Sequence, residues 1–199
     1  MTHDELRACY APAIERARLK VLRRLDDHCR NFIALSPFLC LGTQSSQGAD
    51  VTPRGDAPGF VKILDDTTLA LPDWPGNNRL DSLENILENP HVGLLFFIPG
   101  VDETLRLNGS ARLTTDPAVL ALWNVQGKQP KSALLITLQE AFLHCAKALM
   151  RSHLWDETYK VKREVLPSYG RMLKDQIDVA DSAEQIEKMV AEGYRDRLY

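Results

Sequence analysis

The chain has 199 residues, of which 44% are hydrophobic and 26% charged, and 24 Lys and Arg against 27 Asp and Glu give a formal net charge of -3. This is ordinary globular usage, and a slightly acidic chain has no general attraction for nucleic acid or for anionic membranes. The longest apolar stretch, residues 92–99, is far shorter than the roughly 20 residues that a membrane helix requires.

Cysteine usage and the N-terminus indicate the compartment. Cys9, Cys29, Cys40 and Cys145 are scattered and include no C-x-x-C pair, so they predict reduced thiols rather than a disulfide framework. The chain is charged from His3 onward and lacks the apolar core of a signal peptide. We therefore expect a soluble, cytoplasmic protein that needs no disulfide or metal to fold.

The first half of the chain changes from a helical period to a strand period. The first 35 or so residues have the pattern of a helix packed on a core, followed by a short helix that ends near Ser36. Residues 38–43 and 51–54 predict one hairpin, and residues 59–64 and 67–71 predict a second. A loop rich in Pro, Gly and Asn follows at residues 72–78.

The second half alternates between helices and strands. Asn108-Gly109 marks a bend or bulge in one strand, and Asp181 or Ser182 is a candidate cap for the last helix. Six or more short antiparallel strands favour a small closed barrel. The predicted helices cover residues 79–88, 116–123, 146–155 and about 182 onward, and the predicted strands cover residues 91–98, 104–113 and 132–144.

The loop before residue 79 is a candidate anion site. A helix N-terminus offers unpaired N–H groups and the positive end of the helix dipole. The planar guanidinium of Arg79 matches phosphate oxygens, and Asn77, Asn78 and Ser82 add neutral donors. The local pattern is equally typical of a capped helix with a surface arginine, so both interpretations stay open.

A second candidate lies at Arg54, at the end of a strand and beside a bend that contains Gly and Pro. Backbone can approach a flat ligand closely at such a bend, although a simple salt bridge between Arg54 and Asp56 explains the pair as well. A third candidate is the pair Lys147 and Arg151, which share a face of the predicted helix and could hold one anion.

Several other chemistries are disfavoured. His144, Cys145 and His153 do not have the spacing of a familiar zinc ligand set, and adjacent strand residues point to opposite faces, which argues against a Cys–His nucleophile. The chain contains no G-x-S-x-G elbow, no Walker loop and no G-x-G-x-x-G after a strand.

A set of short motifs, specific in combination, resembles the pyridoxamine 5′-phosphate oxidase-like proteins over roughly residues 30–160. The motifs are PRGD at 53–56, PGFV at 58–61, PD at 72–73, PGNNR at 75–79, DSL at 81–83, NI at 85–86, NP at 89–90, VGLLF at 92–96, RLNG at 106–109, and HC, KA, RS and LW between 144 and 155. The resemblance implies a mainly β, α+β fold with flanking helices, a six-stranded antiparallel split β-barrel of the FMN-binding type.

The resemblance also implies a homodimer with FMN sites at its interface. Arg54, Asn77, Asn78, Arg79 and Ser82 would face the phosphate and ribityl chain of FMN. The backbone of Gly59, Phe60, Val61 and Lys62 would run past the isoalloxazine ring, and Lys147 and Arg151 would reach the site from the partner chain. No metal is expected, and no residue is singled out as catalytic.

The implied function is an FMN-dependent oxidoreductase acting on an unidentified small molecule. The tail at residues 194–199 does not reproduce the Arg- and Trp-containing segment of true pyridoxamine phosphate oxidases, so that substrate is not expected. A non-catalytic flavin- or haem-binding storage or sensor module is the alternative, because fold alone does not decide function. The expected division is a helical extension at 1–36, the barrel at 37–165 and a helical tail at 166–199.

Overall fold

The fold is one seven-stranded antiparallel sheet with helices around it, seen in a computed structural model that describes residues 1–196 and 198–199. The sheet order is β2-β1-β5-β6-β7-β4-β3. The strands are β1 (Phe38–Ser45), β2 (Gly48–Gly55), β3 (Lys62–Ile63), β4 (Thr68–Asp73), β5 (His91–Phe97), β6 (Thr104–Thr114) and β7 (Ser132–His144). The helices are α1 (His3–Ala8), α2 (Glu15–Leu19), α3 (Asp27–Leu35), α4 (Asp81–Glu88), α5 (Pro117–Leu120), α6 (Lys147–Ser152), α7 (Tyr169–Gln176) and α8 (Ala183–Asp196), with 3₁₀ turns at Glu157–Tyr159 and Arg163–Val165.

Alternation along the strands builds the core. Successive strand residues point to opposite faces of the sheet, so every second side chain of β1 and β5 is buried. Helix α3 adds Phe32 and Ile33 to the same cluster, and α4 adds Ile86. The strand residues that meet them in the core include Leu39, Leu41, Leu69, Leu71, Val92, Leu94, Phe96, Leu105, Leu107, Leu134 and Ile136.

The predicted antiparallel α+β fold is confirmed, with one strand more than the six expected. The shortest of the seven strands, β3, has only two residues. The prediction of a full strand over residues 59–64 is wrong at its start, because Gly59 has a φ of 80° and the Phe60 N–H donates to the Ala57 carbonyl at 3.1 Å. A turn therefore precedes β3 and turns this segment away from a regular ladder.

The two ends of the chain differ from the prediction. The N-terminal segment forms the short helices α1 and α2 rather than one helix, and Ile14 and Leu19 are exposed instead of packed on the core. Pro12 separates the two helices, since proline lacks an N–H and disfavours helical backbone in the residue before it. The tail, where the first predicted helix begins at about residue 182, also contains α7, whose first turn is capped by the Ser168 hydroxyl at 3.2 Å from the Arg171 N–H.

A β-bulge interrupts the ladder between β6 and β7 at Asn108/Gly109, as the Asn-Gly pair predicts. Gly109 lies against the partner strand so closely that a Cβ there would overlap the Thr137 carbonyl oxygen. A residue without a side chain is therefore needed at this point of the ladder, for reasons of space rather than backbone conformation.

All four cysteines are free, and burial raises the pKa of the Cys29 thiol to about 11. Among residues 1–196 and 198–199, no helix is both long and apolar enough to cross a membrane, and no cluster of three or more His, Cys, Asp or Glu could hold a metal ion.

We predict that Gly109→Ala destabilises the protein by about 1–3 kcal/mol, because the added methyl group must push two paired strands apart. Gly42→Ala on β1 is the matched control, since its Cβ would lie 3.5 Å from the Gly93 carbonyl oxygen, an ordinary contact. Urea denaturation of both variants measures the difference. Equal midpoints would show that the bulge tolerates a side chain.

Candidate functional site

Five of the predicted site residues meet in one cleft of about 390 Å³ between the end of β2, the loop after β4 and the start of α4. We call this the β2–α4 cleft. Antiparallel pairing places Asp73, the last residue of β4, opposite Ser132, the first of β7, so the cleft lies beside that end of β7. Its polar lining consists of Thr52, Arg54, Asp73, Asn77, Asn78, Arg79, Asp81, Ser82 and Lys131, with Trp74 as an aromatic wall.

Arg54 is the most constrained basic group of the cleft. Its Nη1 donates to Asp73 Oδ1 at 2.7 Å, and both side chains are about four-fifths buried. Its Nε is buried without a hydrogen-bond partner among the described residues. The alternative interpretation, a salt bridge between Arg54 and Asp56, is wrong, because Asp56 is held by two other side chains instead. A buried guanidinium N–H without an acceptor is costly, and a ligand oxygen would remove that cost.

Arg79 and the loop before it form the open side of the cleft. The Arg79 side chain is 77% exposed, and its Nε donates to Asp81 Oδ2 at 2.5 Å. The Asn77 side chain accepts from the Arg79 N–H at 3.0 Å, and Asn78 takes a left-handed φ of 58°. The loop thus folds back on itself and leaves the remaining guanidinium nitrogens of Arg79 toward solvent.

Helix α4 begins at the floor of the cleft. The first N–H groups of a helix have no acceptor in the preceding turn, and the side chain of the N-cap residue, Leu80, accepts no hydrogen bond from them. The Leu83 N–H donates to the Leu80 carbonyl at 2.8 Å, which leaves the N–H groups of Asp81 and Ser82. Ser82 in the first turn is buried, and its hydroxyl lies 3.1 Å from the Thr52 hydroxyl on β2. The carboxylate of Asp81 partly offsets the positive end of the helix and is itself engaged by Arg79.

The predicted ring-binding segment lies in a separate hollow of about 210 Å³. Gly59, Phe60 and Lys62 line this hollow, while Val61 is buried in the core. The Phe60 carbonyl accepts from Trp123 Nε1 at 2.6 Å, and Lys62 Nζ donates to the Gly59 carbonyl at 2.9 Å. The N–H and the carbonyl of Phe60 are therefore both engaged. The position of Trp123 in the sequence does not indicate that it holds this carbonyl.

Asp56 and Trp74 connect the hollow with the cleft. Asp56 lines the hollow, and its Oδ2 accepts from the indole Nε1 of Trp74 at 3.1 Å. Tyr199 closes on the same corner: its hydroxyl donates to Asp56 Oδ1 at 2.8 Å, and its ring meets Trp74 edge-on at 5.1 Å between centroids. Lys128 Nζ fixes the main-chain oxygen of Tyr199 at 2.8 Å. No sequence signal links residue 199 to residues 56 and 74.

Lys147 and Arg151 lie on one short helix, α6, as the pattern predicts, but they line neither the cleft nor the hollow. Both are exposed. Helix α6 follows the His144 end of β7, whereas the cleft lies beside the Ser132 end. The 13 residues of β7 span roughly 40 Å, so these two cations are remote from the cleft of their own chain.

Comparison with known proteins identifies the family. The model of the pyridoxamine 5′-phosphate oxidase family matches residues 25–145, more than half of the chain. The chain therefore belongs to this family, which is of flavin-binding oxidoreductase type. A search of curated protein sequences found no match.

Several solved structures are similar to this chain. A variant of HupZ from Group A Streptococcus is 16% identical, with a TM-score of 0.50 over 60% of this chain and 98% of that one. A putative pyridoxamine 5′-phosphate oxidase from Lactobacillus delbrueckii is 18% identical, with a TM-score of 0.46 over 61% of this chain and 95% of that one. One from Listeria innocua is 17% identical, with a TM-score of 0.46 over 59% and 95%.

We predict that Tyr199→Phe lowers the free energy of unfolding at neutral pH by at most about 1 kcal/mol, because it removes one partly exposed hydrogen bond to a carboxylate. Asp56 raises the pKa of the Tyr199 hydroxyl. A raised pKa in the folded state stabilises the protein below the ordinary tyrosine value of about 10 and loses that contribution as the pH rises through the folded value.

The measurement is thermal unfolding of the wild type and of Tyr199→Phe between pH 7 and 11. The difference in melting temperature between the two proteins should be constant near pH 7 and disappear near pH 11. Tyr10→Phe is the control, since Tyr10 is 65% exposed near the N-terminus. A difference that grows with pH would contradict the contact with Asp56.

Proposed function

We propose that this protein binds FMN with the phosphate in the β2–α4 cleft and acts as an FMN-dependent oxidoreductase on a small molecule. The observation that carries the proposal is the Nε of Arg54, buried in the cleft without a hydrogen-bond partner among the described residues. A phosphate oxygen is the acceptor that suits a guanidinium N–H best, because the bond is charge-assisted. Membership of a flavin-binding family supports the choice of ligand.

The other groups of the cleft fit a phosphate and a polyol chain. Arg79 has guanidinium nitrogens free of the Asp81 bond, and Lys131 adds a third positive charge from the other wall. The uncapped N-terminus of α4 offers N–H groups to an anion. Asn77 and Asn78 supply amides at the mouth, where ribityl hydroxyl groups would lie. The Ser82 hydroxyl, held by Thr52, supports the wall.

The flat ring of the cofactor would extend from the cleft toward Trp74 and the hollow at Phe60. A bound flavin would supply hydride- and electron-transfer chemistry. The chain's own part is to hold and orient it: Asp56 fixes Trp74, and Trp123 fixes the Phe60 carbonyl. Because both main-chain groups of Phe60 are engaged and the Gly59 carbonyl accepts from Lys62, a ring would meet the Gly59 N–H and the main chain of Val61 and Lys62.

We propose that two protomers share each site. Lys147 and Arg151 lie at the end of β7 remote from the cleft of their own chain, so only a second copy could bring them to it. Members of the family are commonly dimers. In a two-fold dimer each site would consist of the cleft of one protomer and the α6 helix of its partner.

We predict that Arg54→Gln weakens FMN binding roughly 10- to 100-fold, the equivalent of one charge-assisted hydrogen bond of about 1.5–3 kcal/mol. Arg79→Gln should weaken it less, because Arg79 is mostly exposed. Quenching of FMN fluorescence on titration with protein measures the affinity. Arg112→Gln, an exposed arginine on β6, is the matched control and should bind as the wild type does.

Riboflavin, which lacks the phosphate, separates a phosphate contact from a general loss of fold. If Arg54 grips the phosphate, the wild type and Arg54→Gln should bind riboflavin equally. An equal loss for FMN and riboflavin would place Arg54 elsewhere on the ligand. Failure of the wild type to retain FMN at all would overturn the proposed cofactor.

A mixing experiment tests the shared site. Arg54→Gln and the double variant Lys147→Gln/Arg151→Gln should each bind FMN weakly. After the two are unfolded and refolded together, half of the dimers should be mixed, and each mixed dimer has one intact site. High-affinity binding should therefore return to about a quarter of the sites. No recovery in a mixture that refolds as a dimer would contradict a site built from two chains.

Turnover distinguishes the oxidoreductase from a storage or sensor module. Stopped-flow absorbance would follow reduction of the bound flavin by NADH and by NADPH. Reduction followed by reoxidation with an added acceptor supports an enzyme. Retention of FMN without either reaction favours a binding module on the same fold.

A further inference from the structure

A second cluster of positive groups lies on the outer face of the sheet, at the end of β7 remote from the β2–α4 cleft. Arg106 on β6 pairs in register with Phe142 on β7, and Thr104 pairs with His144. Lys20, just after α2, reaches over the same place, where its Nζ donates to the Leu143 carbonyl at 2.6 Å. We call Lys20, Arg106 and His144 the outer basic cluster.

The aromatic ring of Phe142 holds this cluster together. The Arg106 guanidinium carbon lies 4.4 Å from the ring centroid and Lys20 Nζ lies 5.1 Å from it. The imidazole of His144 packs on the same ring at 5.1 Å between centroids. Phe142 is itself buried, so three groups that can carry positive charge converge on one apolar support.

In the part of the chain that the structure describes, no carboxylate lies within ion-pair distance of Lys20, Arg106 or His144. Glu140 lies two pairs further along the ladder, on the same face. Glu140 instead accepts from the Asn108 side chain at 3.3 Å. Arg106 as a whole is partly buried, and its Nε is buried. Among the described residues, this Nε has no hydrogen-bond partner.

This arrangement is unfavourable without an anion. A desolvated guanidinium costs free energy unless it is paired, and two further basic groups beside it add repulsion. Desolvation and the charges of Arg106 and Lys20 lower the pKa of His144, the response expected of an imidazole in a positive field. An oxyanion bound between the basic groups would offset the repulsion and give Arg106 Nε an acceptor.

We propose that the outer basic cluster is an oxyanion-binding site, distinct from the β2–α4 cleft, that takes a phosphate or carboxylate group. The fork of Arg106 suits two oxygens of such a group, and Lys20 and protonated His144 complete its neutralisation. The oxyanion belongs either to a small molecule or to a carboxylate of a second copy of this chain. The site does not depend on FMN binding.

The test uses inorganic phosphate as the probe and the imidazole of His144 as the reporter. NMR titration of the full chain at constant ionic strength should show saturable shifts of the His144 ring signals, together with a rise in its pKa. Arg106→Gln should lose the saturable response, whereas Arg112→Gln should keep it. Equal responses of the wild type and Arg106→Gln, or a linear response in the wild type, would overturn the proposal.

Two further measurements make the result specific. Arg54→Gln should keep the His144 response, because that variant disrupts only the β2–α4 cleft; its loss would overturn the claim of a separate site. The melting temperature of the wild type should rise with phosphate more than that of Arg106→Gln, and equal rises would also contradict the site.

Sedimentation of the same variants identifies the source of the oxyanion. If a second copy supplies it, Arg106→Gln should weaken self-association, and phosphate should compete with association in the wild type. If a small molecule supplies it, neither Arg106→Gln nor added phosphate should change the association constant, while the saturable His144 response remains. Acetate in place of phosphate then ranks carboxylate against phosphate.

Discussion

Strand β7 is the element on which both sites depend. It pairs with β6 along one edge and with β4 along the other, so it holds the two halves of the sheet together. The ladder with β6 requires a bulge at Gly109, where no side chain fits against the Thr137 carbonyl. At its Ser132 end β7 fixes the last residue of β4 and thereby the loop of the β2–α4 cleft. At its His144 end it carries the outer basic cluster.

The two sites satisfy their charges in different ways. In the β2–α4 cleft each arginine has a carboxylate, Asp73 for Arg54 and Asp81 for Arg79, so part of each guanidinium is already neutralised. The acceptors hold the side chains in place and leave specific nitrogens for a ligand. In the outer basic cluster an aromatic ring replaces the carboxylate as the support, and the charge stays unbalanced.

Contacts from distant parts of the chain complete the corner between cleft and hollow. Asp56 accepts from Trp74 and from Tyr199, which is 143 positions away in sequence. Such a carboxylate with two donors holds the aromatic wall rigid, and rigid walls favour binding because little side-chain entropy is lost. The tail is thereby part of the architecture beside the cleft, although it lacks the arginine- and tryptophan-containing segment of true pyridoxamine phosphate oxidases.

The sequence by itself determined the antiparallel α+β fold and the bulge at Asn108-Gly109, because period and turn residues are local signals. The convergence of Arg54, Asn77, Asn78, Arg79 and Ser82 was implied only by the resemblance of the joint motifs to a known family. It did not reveal α7 or the turn at Gly59, where local preferences compete closely. Only the tertiary structure decided that Arg54 pairs with Asp73 rather than Asp56, and that Tyr199 meets Trp74. It also placed Lys20 and Arg106 on one ring. These contacts join residues far apart in sequence, and side-chain pairing across a folded sheet leaves no local pattern to detect.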